Sequence, residues 1–222
     1  MRFAAVAFDL DGTLYPDFRL YIRLVPFLLR RQRLLRAMDR ARTQLRRTGA
    51  YGGDFYELQA RLMGEILNET PEKVRERTDL LIYRGWEPHF LKIKLFPHAR
   101  ETLAGIRAAG LKMGLLSDFP PETKLKNLGI SDCWDAVLCS ERAGALKPAL
   151  RPFQELALAL HCPPEQILYV GNSRRYDVGG AKRAGMKTAL FTGHFSRNRL
   201  FSGTTKADFT FQSYRQLRDF VL

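Results

Sequence analysis

Asp9 and Asp11 stand two residues apart at the end of an apolar run, Phe3-Ala4-Ala5-Val6-Ala7-Phe8, and Gly12 and Thr13 follow them. Carboxylates at i and i+2 on an extended or turning segment point the same way, and like charges that close are costly unless a cation or an unequally shared proton relieves them. That arrangement asks for a hard ion such as magnesium. One carboxylate could then attack phosphorus while its neighbour handles the proton, which splits a hydrolysis into two easier steps through a covalent intermediate. Gly12 lets the chain turn sharply behind them. Further along stand Ser117-Asp118, Lys147-Pro148 and Gly171-Asn172-Ser173 with Asp177. Ser117 offers a hydroxyl and nearby backbone amides to phosphoryl oxygens, and Lys147 offers positive charge to the transition state.

These groups can act together only if the chain brings them to one edge. From residue 95 onward the sequence alternates short apolar runs with helical spacing, which predicts a doubly wound parallel sheet. Strands are expected over 111–116, 136–139, 167–170, 187–191 and near 208–211, with a looser stretch at 192–206 before the last. Ligands in such sheets sit beyond the carboxyl ends of the strands, and all four polar clusters fall there, the first after a strand at 3–10. Between the first two clusters the character changes. Leu24, Leu28, Leu35, Met38 and Leu45 keep helical spacing among many arginines, with breaks expected at Pro26, at Gly49 to Gly53 and at Gly85. Thr70-Pro71-Glu72 reads as a cap with Pro at the first helical position. The fold class is therefore α/β: a Rossmann-like core made of residues 1–15 and 95–222, interrupted by an all-helical insertion over 16–94.

Phe8-Asp9-Leu10-Asp11-Gly12-Thr13-Leu14, Leu115-Leu116-Ser117-Asp118, Lys147-Pro148 and Val170-Gly171-Asn172-Ser173-Arg174-Arg175-Tyr176-Asp177 resemble the four ordered motifs of the haloacid dehalogenase-like hydrolase superfamily. The likeness spans almost the whole chain. It implies a phosphatase acting on a small phosphorylated metabolite, with Asp9 as nucleophile, Asp11 as general acid and base, and Lys147 neutralising the phosphoryl group. It places Ser117, Asp118, Gly12 and Thr13 at the substrate phosphate. It further implies magnesium held by Asp9, the Asp11 carbonyl and the fourth motif, here Asn172 and Asp177. The insertion resembles the cap of the subclass that carries one between its first two motifs, and Tyr15 and Pro16 could face the substrate where the chain leaves the core.

One position departs from the pattern. The fourth motif usually begins Gly-Asp, and here it is Gly171-Asn172, which removes a negative charge from the metal site; Asp177 is expected to supply the missing charge, directly or through water. The asparagine also suits two other readings: a catalytically weak relative with a binding or regulatory role, and a metal-free 2-haloacid dehalogenase. Asp11 argues against the second, because dehalogenases of the superfamily lack that carboxylate.

Composition sets outer limits. With 45% hydrophobic and 27% charged residues the chain is neither disordered nor repetitive. Its three cysteines, Cys133, Cys139 and Cys162, form no CxxC pair, which argues against a disulfide framework. With no signal-like or membrane-spanning run, the expected location is cytoplasmic. The charge of +13, from 36 Lys and Arg against 23 Asp and Glu, suits anionic substrates, nucleic acid or an acidic membrane. It concentrates in Arg19, Arg23, Arg30, Arg31, Arg33, Arg36, Arg40, Arg42, Arg46 and Arg47, opposed by Asp39 alone, and is expected to be chiefly a solvated helix face. Interleaved apolar residues leave both a monomer and a homodimer open.

Overall fold

Strand β1 (Ala5–Phe8) is buried on both faces, and its pleat sends alternate side chains to opposite sides: Ala5 and Ala7 join one apolar cluster, Val6 and Phe8 the other. The computed structural model describes residues 3–49, 51–193 and 205–222. Next come helices α1 (Phe18–Arg30), α2 (Gln32–Thr48), α3 (Phe55–Leu67) and α4 (Pro71–Thr78), a π-helical turn (Asp79–Tyr83) and α5 (Glu87–Phe90). The remainder alternates: α6 (Ala99–Ala108), β2 (Lys112–Ser117), α7 (Glu122–Leu128), β3 (Ala136–Cys139), α8 (Leu150–Ala159) and β4 (Ile167–Gly171). A second π-helical turn (Arg174–Val178), α9 (Gly179–Arg183), β5 (Lys187–Phe191), β6 (Phe209–Phe211) and α10 (Tyr214–Val221) complete it.

The described strands form one parallel sheet in the order β3-β2-β1-β4-β5-β6. The register pairs Phe8 with both Leu115 and Val170, and Ser117 with Cys139, so β1, β2 and β4 end side by side. Helices α6 and α10 cover one face through Leu103, Ile106, Tyr214 and Leu217, while α8 covers the other through Phe153 and Leu156. The doubly wound sheet and the helical segment after β1 therefore both form as the patterning predicts. The loose stretch expected at 192–206 falls mostly on 194–204, outside the described residues.

Two details differ. Helix α1 runs through Pro26 instead of breaking there, and the break comes at Arg31. Proline removes one helical hydrogen bond, but Pro26 is exposed, so the freed carbonyl can turn to water. Thr70 precedes α4 as predicted, yet its hydroxyl makes no capping bond.

The helical segment also divides its loyalties. Leu34, Ala37, Met38 and Ala41 of α2 pack with Met63, Leu67, Val74 and Ile82 in a core of their own. Leu20 and Leu24 of α1, together with Phe90 and Ile93, belong instead to the sheet's main cluster.

Candidate active site

Past the end of β1, the Asp9 N–H donates to the Val170 carbonyl at 2.9 Å, which holds Asp9 at the sheet's carboxyl edge. The chain then folds back, with Thr13 N and Leu14 N donating to the Leu10 carbonyl at 3.2 and 3.0 Å. This turn aims the Thr13 hydroxyl at Asp9, where it donates to Oδ2 at 2.7 Å. Gly12 makes the turn with φ of 77°, and a Cβ there would lie 2.1 Å from Asn172 Nδ2. Glycine at this position thus serves both the backbone conformation and the approach of Asn172.

Lys147 Nζ donates to Asp9 Oδ1 and to Asp177 Oδ1, both at 2.7 Å, with the Leu116 carbonyl and the Tyr169 hydroxyl at 3.3 and 3.4 Å. Its side chain is 3% exposed. Burial works against its charge, but Asp177 and Asp9 outweigh burial and hold its pKa well above the ordinary lysine range. Burial pushes the Asp9 carboxyl up to about 7; Lys147 opposes the shift and Asp177 adds to it. Asp177 packs behind β4 because residue 171 is glycine, since a Cβ there would come within 2.4 Å of the Asp177 Cβ.

The predicted residues do converge, but several do different work from that expected. Asp177 spends one oxygen on Lys147 and accepts a hydrogen bond from Ser173 N on the other at 2.8 Å. In this arrangement its charge acts on Lys147. Asp118 likewise has both oxygens engaged: Oδ2 pairs with Arg46 at 2.8 Å and Oδ1 accepts from Lys147 N at 3.1 Å. Burial opposes its ionisation, yet Lys147, Arg46 and Arg42 together hold its pKa below the usual range. A carboxylate so placed has no donor for a phosphate and ties the second motif to the third. Thr13 spends its hydroxyl on Asp9. Ser117 is fully buried at the end of β2, and its Oγ accepts from Phe119 N at 3.2 Å, which leaves its own proton to donate.

Asp11 is half-buried and has a partner that spacing could not reveal. Lys124 of α7 donates to both its oxygens, at 2.6 and 2.8 Å, and the Tyr15 hydroxyl donates to Oδ1. Tyr15 is buried, with its hydroxyl on the Asp11 carboxylate. Because Lys124 fixes the Asp11 carboxylate, Lys124→Met is expected to lower kcat by about ten- to a hundredfold while KM stays within about threefold. A steady-state comparison of the two parameters checks this.

The arginine-rich segment is not uniformly solvated. Arg42 is buried and pairs with Glu141, and Arg46 donates to Asp118 and, at 3.0 Å, to the Lys147 carbonyl. Tyr83 donates to Glu141 Oε1 at 3.1 Å, and the Tyr51 hydroxyl meets the Ser140 and Glu141 carbonyls at 3.3 and 3.1 Å. A sequence signal for Arg42 existed: it lies on the stripe Leu34, Met38, Leu45, a charge within an apolar face.

Among the described residues no group of three His, Cys, Asp or Glu side chains converges as a metal site. Asn172 Nδ2 donates to the Asp11 carbonyl at 3.2 Å. Asn172 thus brings its side-chain amide beside the Asp11 carbonyl, and with the Asp9 carboxylate on the same strand end the ligand atoms these groups can offer are all oxygen. This chemistry fits a magnesium ion that keeps several waters or substrate oxygens.

A family model for haloacid dehalogenase-like hydrolases matches residues 3–185. The chain is 30% identical to a glyceraldehyde 3-phosphate phosphatase of Methanopyrus kandleri, covering 98% of this chain and 96% of that protein. It is also 30% identical to one of Methanothermobacter thermautotrophicus, over 84% of each. The crystal structure of a phosphatase of this fold from Thermococcus onnurineus superposes with a TM-score of 0.66 at 22% identity, covering 98% of this chain and 97% of that one.

Proposed function

The chain belongs to the haloacid dehalogenase-like hydrolase family, and from that premise we propose a phosphatase that cleaves a small phosphomonoester through a phosphorylated Asp9. The observation that carries this reading is the buried Asp9 carboxylate, oriented by Thr13 and Lys147 at the junction of β1, β2 and β4. In the first step an Asp9 oxygen attacks phosphorus, the bond to the leaving oxygen breaks, and that oxygen takes a proton from Asp11, which enters the step protonated and leaves it as the carboxylate. In the second, Asp11 takes a proton from water, the water oxygen bonds to phosphorus, and the Asp9–phosphorus bond breaks to release phosphate. Lys147 and the Ser117 hydroxyl offset the charge on the phosphoryl oxygens. Asp118 and Asp177 position Lys147.

Asp9, the Asp11 carbonyl and Asn172 would hold magnesium. When bound it would neutralise charge on the phosphoryl group. With Asn172 neutral, Asn172→Asp is expected to lower the magnesium concentration for half-maximal activity by about tenfold, read from a metal titration. An unchanged midpoint would remove Asn172 from the ligand set.

We take residues 16–94 as a cap over a core of 1–15 and 95–222, latched through Arg42, Arg46, Tyr51 and Tyr83. The similar archaeal phosphatases support a three-carbon sugar phosphate as substrate class. A magnesium-supplemented phosphatase panel containing glyceraldehyde 3-phosphate tests it. Glyceraldehyde 3-phosphate should rank among the best substrates by kcat/KM. Halide release from a 2-haloacid with no phosphate release would overturn the whole reading.

A further inference from the structure

Helix α1 is apolar on two opposite sides. Leu20 and Leu24 are buried in the main core, and Leu28 packs against it. Ile22, Val25 and Leu29 instead face outward, 63, 45 and 65% exposed. At 3.6 residues per turn those three lie on one stripe. Exposed arginines flank it: Arg23 and Arg30 on the helix, then Arg31 and Arg33. From Phe18 to Met38 the chain carries six arginines and no acid. Arg23, Arg30 and Arg31 form no ion pair among the described residues. Beside α1 packs α5, followed at once by exposed Leu91, Lys92 and Lys94.

We propose that this face docks on an anionic phospholipid surface, with α1 lying in the headgroup plane, Ile22, Val25 and Leu29 inserted, and the flanking arginines on lipid phosphates and carboxylates. Charge selects this occupant over two others. A second copy would meet the patch isologously, bringing arginine onto arginine with no acid in the stretch to relieve it. Nucleic acid would satisfy the arginines but has no use for three exposed aliphatic side chains. A bilayer with anionic headgroups meets both demands at once.

Sedimentation of the full chain with vesicles tests this, using phosphatidylcholine alone and phosphatidylcholine with about one-third phosphatidylserine, at roughly 0.1 M salt. Binding is expected on the anionic vesicles and at least about tenfold weaker on the neutral ones. The variant Ile22→Asn/Val25→Asn/Leu29→Asn keeps every charge and should lose about tenfold or more in vesicle affinity, with phosphatase turnover and melting temperature unchanged. Arg23→Gln/Arg30→Gln should lose a similar factor. Should the triple variant melt early, Leu29→Asn alone gives the same reading with a smaller loss. Undiminished binding by the apolar variants would mean that overall positive charge suffices, and the proposal fails. It fails equally if the protein ignores vesicles and light scattering shows a dimer that the triple variant splits, because a second copy then covers the face.

Discussion

Asp9→Asn is expected to lower turnover by about 10⁴-fold or more while the protein stays folded. The amide matches the carboxylate in shape and can still accept from Lys147, so the positioning contacts survive while the attacking charge is gone. The residual rate should resemble that of a site that binds but cannot form the covalent intermediate. Stability should hold or rise, because burial already disfavours the Asp9 charge and pushes its pKa up to about 7. Lys147 keeps Asp177 as a partner at 2.7 Å. The check is phosphate release under saturating magnesium alongside a thermal melt. Activity within tenfold of the parent would show that Asp9 is not the nucleophile, whatever the melt shows.

The second large effect concerns stability. Arg42→Met removes the one cation paired with Glu141 among the described residues; the Glu141 side chain is fully buried, and the Tyr83 hydroxyl also donates to it. Breaking a buried pair from one side strands the other charge, and the expected cost is about 3–5 kcal/mol, read from urea unfolding midpoints. Replacing both partners, as Arg42→Met with Glu141→Gln, should recover much of that loss. The pH dependence has a definite sign. Burial raises the Glu141 pKa, with Arg42 opposing, so the folded state favours the protonated acid more than the unfolded chain does. Stability from such a group is present below its unfolded pKa and is lost as pH rises through the folded one. Arg42→Met removes the charge that opposes burial, so its penalty should be smaller near pH 5 than near pH 8. A penalty that does not change with pH would mean that Glu141 is not the stranded charge.

The two results would separate chemistry from assembly. In the proposed mechanism Asp9 acts on the substrate, whereas Arg42 holds α2 against the loop after β3. Arg46, one helical turn further on, carries the same tie to Asp118 and the Lys147 carbonyl, and so couples the helical segment to the ammonium that faces Asp9.

Much of this was legible in the linear chain because it rests on local physics. Alternating strand and helix patterns, a glycine where the backbone must turn, and polar residues immediately after apolar strands are short-range features. They placed Asp9, Asp11, Ser117, Lys147 and Asn172 at one sheet edge, and the parallel register brings them there. What those side chains do to one another was decided in three dimensions. Lys124 lies 113 residues from the Asp11 it pins, Arg46 lies 72 from Asp118, and Arg42 lies 99 from Glu141. Asp177 reads by position as a metal ligand, and only the fold shows that it also pairs with Lys147. A periodic pattern records which side of an element is buried, but a buried charge must be paired wherever the fold sets a partner, and only the packing of distant elements says which partner that is.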